Sequence, residues 1–354
     1  MPEPVLPRIA DDPHGGPDGR SQVDIDFSVN SNPFGPAAEL LNRLARAPVH
    51  TYLDPTCAQE KRLAARHHEE STSRVCFGNG AAELIHRLSR CYLDASRSVL
   101  VAAPTFGEYA RAARLCGAAV HRCYPYREGV PGRETVLESV RRHAPTLVWL
   151  CHPNNPTGHA WREEDISLIA EACSEQNALL VLDLAYADFL NLEHPALTLP
   201  RSAAQLHSLT KSFRMPGVRL GYALAPAEVV NALERSAPPW GVSAHAQVAA
   251  QWAFSGEGRA FLRATLPRLR EVRQDFQREL RALGCEVQDT RTNYFLVEVG
   301  DSPAFKHAAL RAGFLVRDCS SFGAPSKVRL AAQKPQENRT FLAWLEFDWL
   351  SAHG

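Results

Sequence analysis

Lysine is scarce in this chain of 354 residues: of 39 basic residues only five are lysines, at positions 61, 211, 306, 327 and 334. Other scarcities bound the function. No apolar run approaches the roughly 20 residues that cross a bilayer, and the first twenty residues lack the apolar core of a secretory signal. No membrane partner is expected. The 39 acidic residues cancel the 39 basic ones and no long basic run occurs, so a nucleic-acid partner has no electrostatic footprint. The nine cysteines are odd in number, scattered, and include no C-x-x-C pair. A disulfide framework and a zinc site are thereby disfavoured; no metal is expected, and reduced thiols in a cytoplasmic protein are the reading adopted. What is present is globular composition, 45% hydrophobic and 22% charged, in a chain long enough for one large or two ordinary domains.

From about residue 73 short β-branched or apolar runs alternate with helical patterns. Strands are expected at 74–77, 98–103, 118–124, 146–151, 178–183, 203–209 and 219–225. Several are apolar throughout, as strands buried on both faces tend to be. Between the first two, Ala81, Leu84, Ile85, Leu88 and Tyr92 recur at helical spacing. The expected fold class is α/β, a mostly parallel sheet flanked by helices. After "SAPPWGVSAHAQ" the pattern changes: a long arginine-rich helix, roughly 258–283, precedes strands at "NYFLVEV", "GFLVRD" and "KVRLAA". We therefore expect a large domain over 51–250, a smaller α+β domain over 251–354, and an N-terminal arm (1–50) that joins the smaller one.

In open α/β sheets ligands sit at the carboxyl ends of the strands. Five strand ends carry chemistry. "GNGAAE" offers Gly78, Gly80 and Ala81 at a helix start, a cradle of N–H groups suited to phosphate; an ordinary strand-to-helix turn is the competing explanation. "PTFGEY" places Phe106 and Tyr109 where a flat ring could stack, though aromatics there more often fill a core. "HPNNPTG" holds two asparagines between prolines. "LDLAY" closes an apolar strand with Asp183, whose charge needs a cation or a strong donor, and carries Tyr186 three residues on. "HSLTK" brings Lys211 beside Ser208, Thr210 and Ser212, with Arg219 nearby. A neighbouring cation and desolvation both lower a lysine pKa and prepare the amine for Schiff-base chemistry. A phosphate, a flat ring, an aldehyde and a ring nitrogen that wants an acid define pyridoxal 5′-phosphate.

The ordered series "GNGAAE", "PTFGEY", "NNPTG", "DLAY" and "SLTKSF…GVRLGY" resembles the fold-type I aminotransferases over nearly the whole chain. The resemblance implies that Lys211 links to the cofactor and later moves the proton, while Asp183 holds the pyridine nitrogen protonated. Asn155 and Tyr186 would bond the ring oxygen, and Phe106 would stack on the ring, with Tyr109 as a second candidate. Gly80, Ala81, Ser208 and Arg219 would bind the phosphate. Arg329, in "KVRLAA", matches the arginine that pairs with a substrate carboxylate. Tyr52 matches a tyrosine that reaches the neighbouring subunit's cofactor, which implies a homodimer with shared active sites.

Within that superfamily two groups compete, histidinol-phosphate aminotransferase and the threonine-phosphate decarboxylase of cobalamin biosynthesis. "HGG", "DFSVNSNPFGP", "NGAAELIHRL", "PTFGEYARA" and "RDCSSF" lean toward the decarboxylase, which is the expected function; the aminotransferase is the alternative. Leu184 departs from both, which usually carry an acidic residue there. Either substrate is a small phosphorylated amino compound, so His14, Asn32, Arg317 and Arg214 are candidates for a second anion site. A non-catalytic cofactor-binding regulator is a remote third reading, disfavoured by the absence of a basic module.

Overall fold

The computed structural model describes Gly16, Gly19 and residues 22–127, 130–190 and 199–351. At its centre is a seven-stranded sheet. In spatial order its strands are Val75–Gly78, Gly221–Leu224, Ala204–His207, Leu179–Asp183, Leu147–Cys151, Ser98–Ala102 and Ala119–Cys123. Gly221–Leu224 runs antiparallel to both neighbours; the remaining pairs are parallel.

The continuous apolar runs have a simple cause. Side chains alternate between faces along a strand, and here both faces are covered. Val99, Val101, Leu147, Trp149 and Val181 join a core with Leu84, Ile85 and Leu88 of the helix Ala81–Tyr92. Their neighbours Leu100, Val148, Leu150, Leu180 and Leu182 pack the other way, against Val136 and Val140 of Arg133–His143 and Ile166 and Ile169 of Glu163–Glu175. With both sides dry, a polar side chain on these strands is tolerated only at an end. That is where Asp183 lies.

A second sheet has three antiparallel strands, with Lys327–Ala331 between Tyr294–Glu298 and Arg317–Asp318. The expected strand "GFLVRD" is divided: Phe314–Leu315 pairs instead, in parallel, with Ile25–Asp26 near the N-terminus. Phe27 follows that strand and is fully buried with Phe276, Phe295, Phe314 and Phe341. An N-terminal segment thus completes a core built mainly from the last hundred residues, with Phe189 joining it from the large-sheet region. The helix Gly256–Ala282 links the two regions; at 1.5 Å per residue it is about 40 Å long. Phe261 and Leu262 pack near the large sheet, and Leu266, Leu269 and Phe276 pack in the second core.

All nine cysteines are free thiols. Among the described residues no cluster of three or more His, Cys, Asp or Glu could hold a metal ion, and no helix is long and apolar enough to cross a membrane.

Candidate active site

Lys211 sits in a single helical turn, Leu209–Ser212, that follows the strand Ala204–His207. The turn is anchored from outside. Asn32 donates its backbone N–H to the Lys211 carbonyl at 2.9 Å and its amide to the Ser212 carbonyl at 3.0 Å. The lysine side chain is half-buried, and its Nζ lies 5.9 Å from the centre of the Tyr186 ring. Among the described residues the amine has neither a hydrogen bond nor an ion pair. Withdrawal from water, then Arg329 and Arg219, lower its pKa from 10.5 to about 8, with Asp183 opposing them. This lysine is poised to lose its proton.

Asp183 is buried at the end of its strand, beside Cys151 of the neighbouring one. The Tyr109 hydroxyl donates to Oδ2 at 2.6 Å and the Ala185 N–H donates to Oδ1 at 2.9 Å. Burial raises the carboxyl pKa; these two donors and Lys211 work against that rise. Tyr109 is thus not a face on which a ligand ring could stack, as the sequence pattern allowed. It is fully buried, stacked on Trp149 with centroids 4.6 Å apart and planes 7° apart. Phe106, half-buried, meets it edge-on at 5.7 Å.

Gly80 precedes the helix Ala81–Tyr92 at φ 84° and ψ 161°, a region open essentially to glycine alone. A Cβ there would stand 2.6 Å from Nη2 of Arg219. On the adjoining strand, a Cβ on Gly221 would stand 2.6 Å from the Ala81 nitrogen. The two glycines let a helix start and a guanidinium approach one another closely, in a concavity lined by donors. Ser208 lies at the end of the neighbouring strand, its hydroxyl 2.8 Å from that of Thr210. Arg219 donates to the Pro216 carbonyl at 3.1 Å, a neutral acceptor. Gly80→Ala is expected to cost about 1–3 kcal/mol through backbone strain and to push Arg219 aside. Denaturant titration reads the first effect, and the affinity for inorganic phosphate reads the second.

Arg329 is buried on the central strand of the second sheet. It donates to the Asn155 side-chain oxygen and to the Ser28 carbonyl, while its buried Nε has no acceptor. Buried guanidinium is ordinarily paired with an acid, yet these partners are neutral. Arg317 is its direct cross-strand partner, so the two side chains emerge on one face of the sheet. Arg317 is also buried, donating to Ser321 at 2.9 Å with its guanidinium 5.0 Å from the Phe322 ring centre. Tyr294 escaped the sequence reading. Its ring lies 5.7 Å from the Arg329 guanidinium and 5.0 Å from the Tyr186 ring. The signal was available in principle: Leu296 pairs with Arg329, and Tyr294, two residues earlier, shares its face.

Two candidates for a second anion site have other work. Asn32 is fully buried. Its amide nitrogen serves Ser212 and Thr265, and its oxygen accepts from the Phe34 N–H at 3.1 Å. Expected beside a ligand, it instead ties the N-terminal arm to the Lys211 turn. Arg214 donates to the Pro33 carbonyl. His14 lies outside the described residues. Tyr52 is 78% exposed, its ring 4.6 Å from that of the exposed Trp240. Leu184 is buried in the apolar layer with Leu180, Leu182 and Ala203.

The model of the family described as "Aminotransferase class I and II" matches residues 22–345. Among curated proteins, a histidinol-phosphate aminotransferase of Methanopyrus kandleri is 30% identical over 343 residues, 90% of this chain and 86% of that one. Among solved structures, the histidinol-phosphate aminotransferase of Sinorhizobium meliloti, in complex with pyridoxal-5′-phosphate, aligns with a TM-score of 0.82 at 23% identity. It covers 92% of this chain and 90% of that one. The L-threonine-O-3-phosphate decarboxylase of Porphyromonas gingivalis aligns at 0.79 and 24% identity, covering 91% and 98%. At those identities the two structures establish the fold.

Proposed function

The chain belongs to the class I and II aminotransferase family, and from that premise we propose that it is an aminotransferase acting on a small phosphorylated amine of the histidinol-phosphate type. Members of the family use pyridoxal 5′-phosphate, and the residues present fit it. The Gly80 cradle, which a Cβ would fill, suits the phosphate together with Ala81, Ser208 and Arg219. Asp183 suits the ring nitrogen, and Phe106 a ring face. Tyr186 and the Asn155 amide suit the ring oxygen.

When bound, the cofactor supplies an aldehyde for an amine and a protonated ring that accepts electrons from the substrate carbon. The chain's own groups do the rest. Lys211, with a pKa near 8, offers a neutral amine that can take a proton from the substrate carbon and return one. Asp183 keeps the ring nitrogen protonated. Arg329 and Arg317 hold the substrate anion and so decide which bond at that carbon is aligned for cleavage.

One observation carries the anionic character of the substrate: two buried arginines stand directly opposite one another on one sheet face. Guanidinium groups on such a face offer donors to an anion. Histidinol phosphate and 2-oxoglutarate, the two partners of such an amino transfer, each bring an anionic group to these donors. The relatives' names point to amino transfer, so the alternative reading is favoured over the decarboxylase that the sequence motifs suggested. We further propose a homodimer in which the exposed Tyr52 completes the partner's site.

The deciding assay mixes the cofactor-loaded protein with histidinol phosphate and 2-oxoglutarate, and in parallel with threonine phosphate. Glutamate formed without carbon dioxide is the expected result. Carbon dioxide from threonine phosphate without glutamate would restore the decarboxylase.

A further inference from the structure

Tyr109 does more than fill the core beneath the candidate site. Its ring is clamped between the parallel face of Trp149 and the edge of Phe106, and it lies in the helix Glu108–Leu115 with no exposed surface. So fixed, it aims its hydroxyl at Asp183 Oδ2 at 2.6 Å, a length typical of a bond donated to a charged oxygen. The Ala185 N–H holds the other oxygen at 2.9 Å. One donor on each oxygen fixes the carboxylate plane, and each oxygen keeps a second lone pair for a ligand. We propose that Tyr109 is a positioning residue for the reaction: its hydroxyl holds the Asp183 carboxylate in one plane and as an anion, so that a protonated ring nitrogen is bound tightly.

The proposal rests on the cofactor reading above. Electrostatics give it direction. Burial raises the Asp183 pKa, and among the opposing groups the Tyr109 bond is the largest. The ionisable groups facing Asp183 are Tyr109, Cys151, Lys211, Tyr186 and Tyr294. Burial, and then Asp183 itself, push the Tyr109 pKa well above its ordinary value, so its hydroxyl remains a donor at every working pH.

The test is the dissociation constant of pyridoxal 5′-phosphate, measured from about pH 5.5 to 8.5. Tyr109→Phe keeps the stack on Trp149 and removes only the donor. It is expected to weaken binding about tenfold, the value of one hydrogen bond to a charged group. Without the donor the Asp183 pKa rises further, so the carboxylate is lost sooner on acidification and the deficit grows as pH falls. In an Asp183→Asn background the same substitution should cost nothing, because there is no carboxylate to hold. A packing role would give equal losses in both backgrounds, and that result overturns the proposal, as does a Tyr109→Phe profile equal to wild type. Should Tyr109→Phe fail to fold, 3-fluorotyrosine at this position, a stronger donor of similar volume, must move the acid limb to lower pH; an unmoved limb also overturns it. A wild-type protein that takes up no cofactor would sink the cofactor reading instead.

Discussion

Lys211→Ala is expected to lower turnover by on the order of 10⁴-fold, the upper range for loss of a positioned acid–base group, and to abolish covalent attachment of the cofactor. Of five lysines in the chain, this one sits at a strand end with its amine bonded to no group among the described residues and its pKa near 8. At pH 7 about one such amine in ten is neutral, against fewer than roughly one in a thousand for an ordinary lysine. Arginine, the chain's habitual cation, cannot deprotonate at any working pH, so Lys211→Arg should fail as completely. Borohydride reduction of the loaded protein followed by peptide mass spectrometry reads the attachment, and amino transfer reads the turnover. Cofactor uptake by the wild type should accelerate as pH rises through about 8, because the neutral amine is the reactive form. An active Lys211→Ala protein, or attachment at another lysine, would remove the assignment.

Much of this site was legible in the sequence because strand-end chemistry is written in residue type. An apolar strand that stops at an aspartate, or a lone lysine among hydroxyls, is conspicuous against the composition of a buried sheet. What was not legible depended on which strands lie side by side. Nothing in "RLGYALA" records that it runs antiparallel to both neighbours, since apolar spacing carries no direction. Tyr109 looked like a stacking face until its helix proved to tuck it under Asp183. Asn32 looked like a ligand contact, although its amide spans elements 180 and 233 residues away in sequence. Arg317 and Arg329 were each visible, but their pairing across a sheet was not. The motif resemblances that favoured decarboxylation include "NGAAELIHRL", most of which forms the helix Ala81–Tyr92 packed against the sheet, so its apolar residues answer to the core and not to the reaction.

Replacing Arg329 should separate its two effects. On the proposed reading, Arg329→Ala removes a bidentate partner of the substrate anion. Each charge-assisted bond is worth about 1.5–3 kcal/mol, so KM should rise by roughly two orders of magnitude for amine and keto acid alike. The same change removes the larger of the two positive neighbours that hold down the Lys211 pKa. That pKa should therefore rise from about 8, and cofactor uptake should need more alkaline solution. Arg329→Lys makes the distinction. It keeps the charge, so the pH dependence of uptake should stay near that of wild type, but it lacks the planar fork, so much of the loss in KM should remain. Both variants also strip donors from the Asn155 side-chain oxygen and the Ser28 carbonyl, and thermal denaturation measures that structural part separately. If Arg329→Ala left KM unchanged while its folding was intact, the substrate anion would have to be held elsewhere, and the paired arginines would lose their claim to select it.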